Sequence, residues 1–362
     1  MKPANPHILG NRPTEGGTDF ALWAPAADAV ELCLFDERDG RWVETKFSLP
    51  HREGPIWHGY LAGIRAGQRY GYRVYGPWRP EQGWRFNPAK VLIDPYAHLL
   101  DGDLVYAPEI FGHHSLDALG NGDHQIRDER NSLGFIPLSV VTSHSPRIIN
   151  RPHTPWKRTF IYEAHVRGLT AGNPEIPLQE RGTYKALGHP STLEYLSRLG
   201  ITALELLPIH HFVTEIHTHA RGRENYWGYN PLAFSAPHRK YAATADPITE
   251  LQESIDALHN TGIEAILDVV YNHTAEEGRQ GPTLSLSFRF SPLPVPQPWC
   301  DLREHRSGHM SKNFVSKTTS MHFSQIKINT SAHLSMQQQA PRRPMRWSLM
   351  TLYKEPVWLH ES

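Results

Sequence analysis

Asp268, Asn272 and His273 close a short run, Asp268-Val269-Val270-Tyr271-Asn272-His273, that follows the apolar Ala265-Ile266-Leu267. A carboxylate, an amide and an imidazole brought to the end of a buried strand are groups that hold hydroxyls or move protons. By itself, Asn-His at a strand end is more often a structural hydrogen-bonding pair than a ligand group. The second candidate group is the loop Tyr226-Trp227-Gly228-Tyr229-Asn230-Pro231. In it an aromatic face can stack on the apolar side of a sugar ring, and Gly228 permits close approach of backbone or ligand. The alternative is an aromatic loop that only packs on its own protein, which fits Trp227 better than Tyr229.

Other reactive side chains carry less. Glu163 and Glu205 fall on apolar strands and could pose as an acid/base pair, but buried, ion-paired structural roles are the better expectation. His210, His211, His217 and His219 invite a metal, yet they have no cysteine or carboxylate partner at a diagnostic interval, so they read as surface histidines of a loop and no metal site is expected.

The elements that would position these residues follow from periodicity. Residues 160–166, 203–209 and 264–270 read as buried strands, and residues 192–199 and 248–260 as helices. In the second helix Leu251, Ile255, Leu258 and His259 share a face, and Gly262 stands where a C′ glycine is needed. Strand, helix, strand, helix, strand is a parallel βαβαβ arrangement. Upstream, residues 20–25, 29–36, 56–61 and 69–74 are short alternating runs, with turns at residues 36–40 and 62–67, as in a β-sandwich. Residues 101–156, rich in Gly, Asn, Asp, His and Pro, read as a linker or long surface loop.

Composition bounds the function. The 362 residues are 39% hydrophobic and 20% charged, a globular balance with room for two domains. Lys plus Arg equals Asp plus Glu at 37 each, so no net field favours a nucleic acid or an anionic membrane, and a neutral ligand is the easier partner. Ten Trp and fourteen Tyr supply flat rings suited to sugar faces, beyond those that only build core. Cys33 and Cys300 are far apart and form no disulfide framework; with no apolar leader or membrane span, a cytoplasmic location is expected.

Taken together, the motifs resemble the bacterial glycogen debranching enzymes of the α-amylase superfamily, close to the isoamylases, which hydrolyse α-1,6 branch points in glycogen or limit dextrin. The resemblance runs from about residue 9 to 283. It is carried by Trp57-His58-Gly59-Tyr60, Tyr70-Gly71-Tyr72-Arg73-Val74, Arg85-Phe86-Asn87-Pro88, Ile161-Tyr162-Glu163-Ala164-His165-Val166, Arg181-Gly182-Thr183-Tyr184, Glu205-Leu206-Leu207-Pro208, Asn225 with the aromatic loop, and the 268–273 run. It implies an immunoglobulin-like, glycogen-binding β-sandwich over residues 9–100, the 101–156 linker, and the first part of a (β/α)8 barrel, strands one to three, over residues 157–283. By the same resemblance Tyr229 is the platform for the cleaved sugar, His273 hydrogen-bonds a sugar hydroxyl, Trp227 lines the substrate, and Asp268, Asn272 and Asn230 organise the site. Some family members hold calcium near the position of Asn272, but neither metal nor cofactor is expected here. A branching enzyme or trehalohydrolase is the related alternative, and a non-catalytic glucan-binding fragment is the alternative of another class.

Retaining glycoside hydrolysis needs two carboxyl groups about 5–5.5 Å apart. The family carries its nucleophile in a Gly-Phe-Arg-x-Asp motif after the fourth strand, its acid Glu after the fifth and an assisting Asp in a His-Asp pair after the seventh. These motifs are absent from the 362 residues. Phe288-Arg289-Phe290-Ser291 has Ser at the nucleophile's place, and Lys354-Glu355-Pro356-Val357-Trp358 only faintly matches the acid's Glu-Pro-Trp. After about residue 284 no sustained period continues, and Pro292, Pro294 and Pro296 interrupt any element. A natural disordered tail and an out-of-frame translation both account for residues 284–362; the second is preferred because the segment is neither low in complexity nor strongly charged. The expectation is a chain without hydrolase activity, whose three barrel strands leave edges unpaired.

Overall fold

A computed structural model describes residues 1–143, 151–278 and 280–286. The tail beyond 286, with Cys300 and both weak motif echoes, lies outside the described residues.

Seven strands open the chain: β1 (Gly10–Thr14), β2 (Gly17–Trp23), β3 (Ala29–Arg38), β4 (Arg41–Ser48), β5 (His51–Glu53), β6 (Ile56–Ala62) and β7 (Arg69–Tyr75). The β3–β4 hairpin turns on Asp39 and Gly40, at φ 51° and 71°, the left-handed pair that a two-residue hairpin loop requires. A small ribbon, β8 (Trp78–Arg79) with β9 (Trp84–Arg85), follows, then β10 (Leu100–Asp101), the hairpin β11 (His113–Ser115) with β12 (Gly122–Arg127), and β13 (Leu138–Val140). One sheet has the order β1-β2-β6-β5 and the other β10-β13-β7-β3-β4. Phe20 and Leu22 from the first sheet meet Leu32, Leu34, Tyr70, Tyr72 and Val74 from the second in a shared core, the arrangement of a β-sandwich.

Residues 101–143, expected as a linker, are structured and complete this second sheet, since β13 pairs antiparallel with both β7 and β10. Their tie is polar rather than periodic. The fully buried Lys90 ammonium donates to Asp128 Oδ1 and to the Glu109 and Arg130 carbonyls, each at 2.8 Å. Such a hub satisfies a buried cation without leaving any hydrophobic pattern in the sequence.

In β3 the residues Leu32 to Phe35 are all buried, because the sheet's second face is covered too. Cys33 and Phe35 join Val91, Ile93, Phe111, Leu138, Leu232, Ala233 and Leu284 in a second core. The chain remains in place to residue 286: the Glu276 carboxylate accepts from the backbone N–H groups of Leu284 and Ser285, and Leu284 and Leu286 are buried. The start of the tail expected at 284 is thus part of the packed structure.

The remaining elements are β14 (Ile161–Ala164), α1 (Val166–Thr170), α2 (Tyr184–Leu187), α3 (Pro190–Leu199), β15 (Ala203–Leu206), β16 (His210–Phe212), α4 (Ile216–His219), β17 (Pro231–Pro237), α5 (Pro247–Asn260) and β18 (Glu264–Leu267). Strands β14, β15 and β18 form a parallel sheet in that order, with Tyr162↔Leu204↔Ala265 in register. Alternate residues Tyr162, Ala164, Leu204, Leu206 and Leu267 pack with Leu196, Leu251 and Leu258 of the helices. Helix α5 begins where Asp246 accepts from Thr249 N–H and ends before Gly262 at φ +85°. The three strands are shorter than expected at their C-terminal ends, where the chain turns to loops holding polar side chains.

Candidate functional site

The C-terminal ends of β15 and β18 bring the two candidate groups together. After β18 the Asp268 N–H donates to Leu206 O, extending the ladder by one bond and fixing where the Asp268 carboxylate emerges. Tyr229, from the loop before β17, donates its phenol to Asp268 Oδ2 at 2.5 Å. His273 Nε2 lies 2.7 Å from Tyr229 O, and its Nδ1 lies 3.0 Å from the Asn272 side-chain oxygen. A backbone carbonyl can only accept, so His273 donates from Nε2 to Tyr229 O. Two segments about 40 residues apart are thereby locked by side chain to side chain and side chain to backbone bonds.

The aromatics of this rim remain open. Tyr229 is 39% exposed and Trp227 51% exposed, so both rings present surface to a ligand. Trp227 stands edge-on to Tyr226 and to His165 rather than lying flat against the protein. Asn230 is buried and donates to Val213 O at 3.1 Å, tying β17 to the chain after β16 rather than facing a ligand. Gly228, at φ +85°, donates its N–H to Asn225 Oδ1, and a side chain there would run into Pro208 O.

Charge shapes the site. Glu163 and Glu205 are register partners on the sheet face opposite the helices. Burial, and then the negative charges of Glu163 and Asp268, raise the Glu205 carboxyl above its ordinary range. Burial, the bond to Asp268 and the charges of Asp268, Glu163 and Glu205 push the Tyr229 phenol upward, keeping it a donor at neutral pH. The ion pairing expected for Glu163 and Glu205 is not found among the described residues, and the charges that act on Glu205 are the negative ones of Glu163 and Asp268. This gives a cluster of hydrogen-bond acceptors beside exposed rings.

The histidine expectation is corrected. His210 and His211 are not surface residues of a loop; they are buried in β16, where His211 meets His238 edge-on and His238 stacks on Phe212 at 3.8 Å. Burial lowers His210 and His211 to about 4 and His238 to about 2, so they are neutral core side chains. His217 and His219 lie exposed on α4, and no group of three or more metal-ligating side chains occurs among the described residues.

Sequence reasoning missed His165 and Tyr241 behind the rim. His165 caps α1, stacks on Tyr226 and meets the Tyr241 hydroxyl. The available signal was its position, one residue past a strand and one before a helix. No helix among the described residues is long and apolar enough to cross a membrane.

Comparison with known proteins agrees with this architecture. Residues 7–97 match carbohydrate-binding module 48, the isoamylase N-terminal domain. Glycogen debranching enzymes of Salmonella paratyphi B and Salmonella typhi are 49% identical over 273 residues, 75% of this chain and 40% of each relative. The chain therefore spans about two fifths of the length of the curated relatives it matches. Among solved structures, the catalytic module of the multi-modular glycogen-degrading pneumococcal virulence factor SpuA is similar at TM-score 0.56 and 25% identity, covering 74% of this chain and 38% of that one. A pullulanase from Paenibacillus barengoltzii, in complex with maltohexaose and alpha-cyclodextrin, shares the fold at TM-score 0.54 and 24% identity, over 75% of this chain and 38% of that one. Over three quarters of its length the chain is thus similar to about two fifths of the glycogen debranching enzymes, and its residues 7–97 match the isoamylase N-terminal domain.

Proposed function

We propose that this chain is the glucan-recognising part of an α-1,6-glucan debranching hydrolase acting on glycogen or limit dextrin, with the first three strands of a (β/α)8 barrel at residues 157–283. In this reading the Tyr229 ring carries the apolar face of the glucose whose bond is cleaved. Its other edge meets His273 and the acceptors of Asp268, and Trp227 lines the approach. Asn230 and Asn272 hold the loops in place. The observation that carries the reading is the Tyr229–Asp268 bond, with His273 on the Tyr229 carbonyl: two loops at the C-terminal ends of parallel strands, where barrel enzymes build their sites, converge on one exposed aromatic ring.

The chemistry divides accordingly. A neutral polyhydroxylated ring needs a flat apolar surface and fixed donors and acceptors at its edge, which these residues supply. Bond cleavage needs a nucleophilic and a protonating carboxyl group on opposite sides of the glycosidic bond. Their motifs are absent from these 362 residues, so the purified chain is expected to hold glucan without hydrolysing it. Co-sedimentation with glycogen together with a reducing-end assay tests this. Binding without new reducing ends supports the reading, and release of linear chains or failure to bind contradicts it.

A further inference from the structure

We propose that His165 is a positioning residue that sets the aromatic loop in its glucan-receiving conformation, clamping the Tyr226 carbonyl to the first turn of α1. The inference rests on the reading of Tyr229 as a sugar platform.

The two nitrogens of the ring have different partners. His165 Nδ1 lies 3.0 Å from Arg167 N and 3.2 Å from Gly168 N, both backbone donors, so Nδ1 accepts and carries no proton. That leaves the single proton of the neutral imidazole on Nε2, which donates to Tyr226 O at 2.7 Å. The Tyr241 hydroxyl stands 3.0 Å from the same Nε2 and donates to Tyr226 O at 3.4 Å, so one carbonyl is held from two sides. The helix start fixes the tautomer, and the tautomer fixes the loop.

Ring geometry adds to the bonds. His165 and Tyr226 are stacked at 4.1 Å with 8° between planes, while Trp227 and Tyr241 meet the imidazole edge-on. The Tyr226 hydroxyl lies over Gly168, where any Cβ would come within 3.0 Å. Tyr226 is thus seated between the capping histidine and a bare patch of α1, and Tyr229 follows it by three residues. Burial, the main cause, and the Arg167 charge lower the tendency of His165 to take a proton, which would end its acceptance of the two N–H groups.

A histidine serving only as a helix cap would be replaceable by asparagine, a strong N-cap whose side chain is too short to reach Tyr226 O. The test compares His165→Asn and His165→Ala with the parent chain carrying 5-fluorotryptophan. The 19F resonance of Trp227, assigned through Trp227→Phe, reports the loop without any sugar, and calorimetry with maltoheptaose reports binding. The expected result is that His165→Asn keeps the parent's melting temperature, displaces or broadens the Trp227 resonance, and weakens the Tyr229-dependent binding about tenfold, the order of loss for one well-placed hydrogen bond. His165→Ala loses all three. An unchanged Trp227 resonance in His165→Asn overturns the clamp. If instead Tyr229→Ala leaves maltoheptaose binding unaltered, the platform reading fails while the 19F spectra still judge the clamp.

Discussion

At the scale of single residues, Tyr229 separates two contributions. Tyr229→Phe keeps the ring and removes the bond to Asp268, so maltoheptaose affinity is expected to stay within about threefold while stability falls by about 1 kcal/mol. Tyr229→Ala removes the platform, and affinity is expected to drop roughly tenfold, about 1.4 kcal/mol, by calorimetry. The buried histidines predict a pH dependence. His210 and His211 are lowered to about 4 and His238 to about 2, against about 6.5 in an unfolded chain. Above pH 6.5 all three are neutral in both states and stability is intact. As pH falls from 6.5 towards 4 the unfolded chain takes up protons that the folded one refuses, and stability is lost. Melting temperature should therefore fall steeply between pH 6.5 and 5, less so in His211→Asn; a flat profile would show that these rings are solvated. The residue types of the rim were legible because Asp268, Tyr229 and His273 stand in motifs. The burial of the histidines was not, although Ile209 and Phe212 flank the pair, because nothing local marks the Phe234, Tyr271 and His238 rings that meet it.

At the scale of elements, strands and helices with a repeating apolar face were legible, and those held by polar contacts were not. Helix α5 shows its face in Leu251, Ile255 and Leu258 and its stop in Gly262. Strand β13 is three residues long, and it joins the sandwich sheet through two ladders that no local pattern announces. The same holds for the Glu250 carboxylate, buried on α5 yet accepting from the N–H groups of Lys185, Ala243 and Thr244. The aromatic loop depends on one backbone geometry: Gly228 takes φ +85°, and a Cβ there would lie 2.8 Å from Pro208 O. Gly228→Ala is expected to cost on the order of 1–3 kcal/mol locally and to abolish Tyr229-dependent binding, read by melting and calorimetry. Binding at parental strength in that variant would mean that the loop does not shape the site.

At the scale of the molecule, the second apolar core joins the sandwich to β17 and the segments around it. The second core takes Cys33 and Phe35 from the sandwich and Leu232 and Ala233 from β17, so the binding module is continuous with the elements that carry the rim. Lys90 fastens residues 109–130 to the sandwich. Lys90→Met leaves Asp128 buried without that ammonium and is expected to cost roughly 3 kcal/mol, seen as a melting temperature lower by several degrees. In the proposed function, α-glucan is recognised where the loops of residues 226–230 and 268–273 meet. The most direct measurement is a crystal structure of the chain with a branched maltooligosaccharide. A glucose ring is expected flat on Tyr229 with a hydroxyl within hydrogen-bond distance of His273; a bound oligosaccharide confined to the sandwich, with the Tyr229 rim empty, would rule this recognition site out.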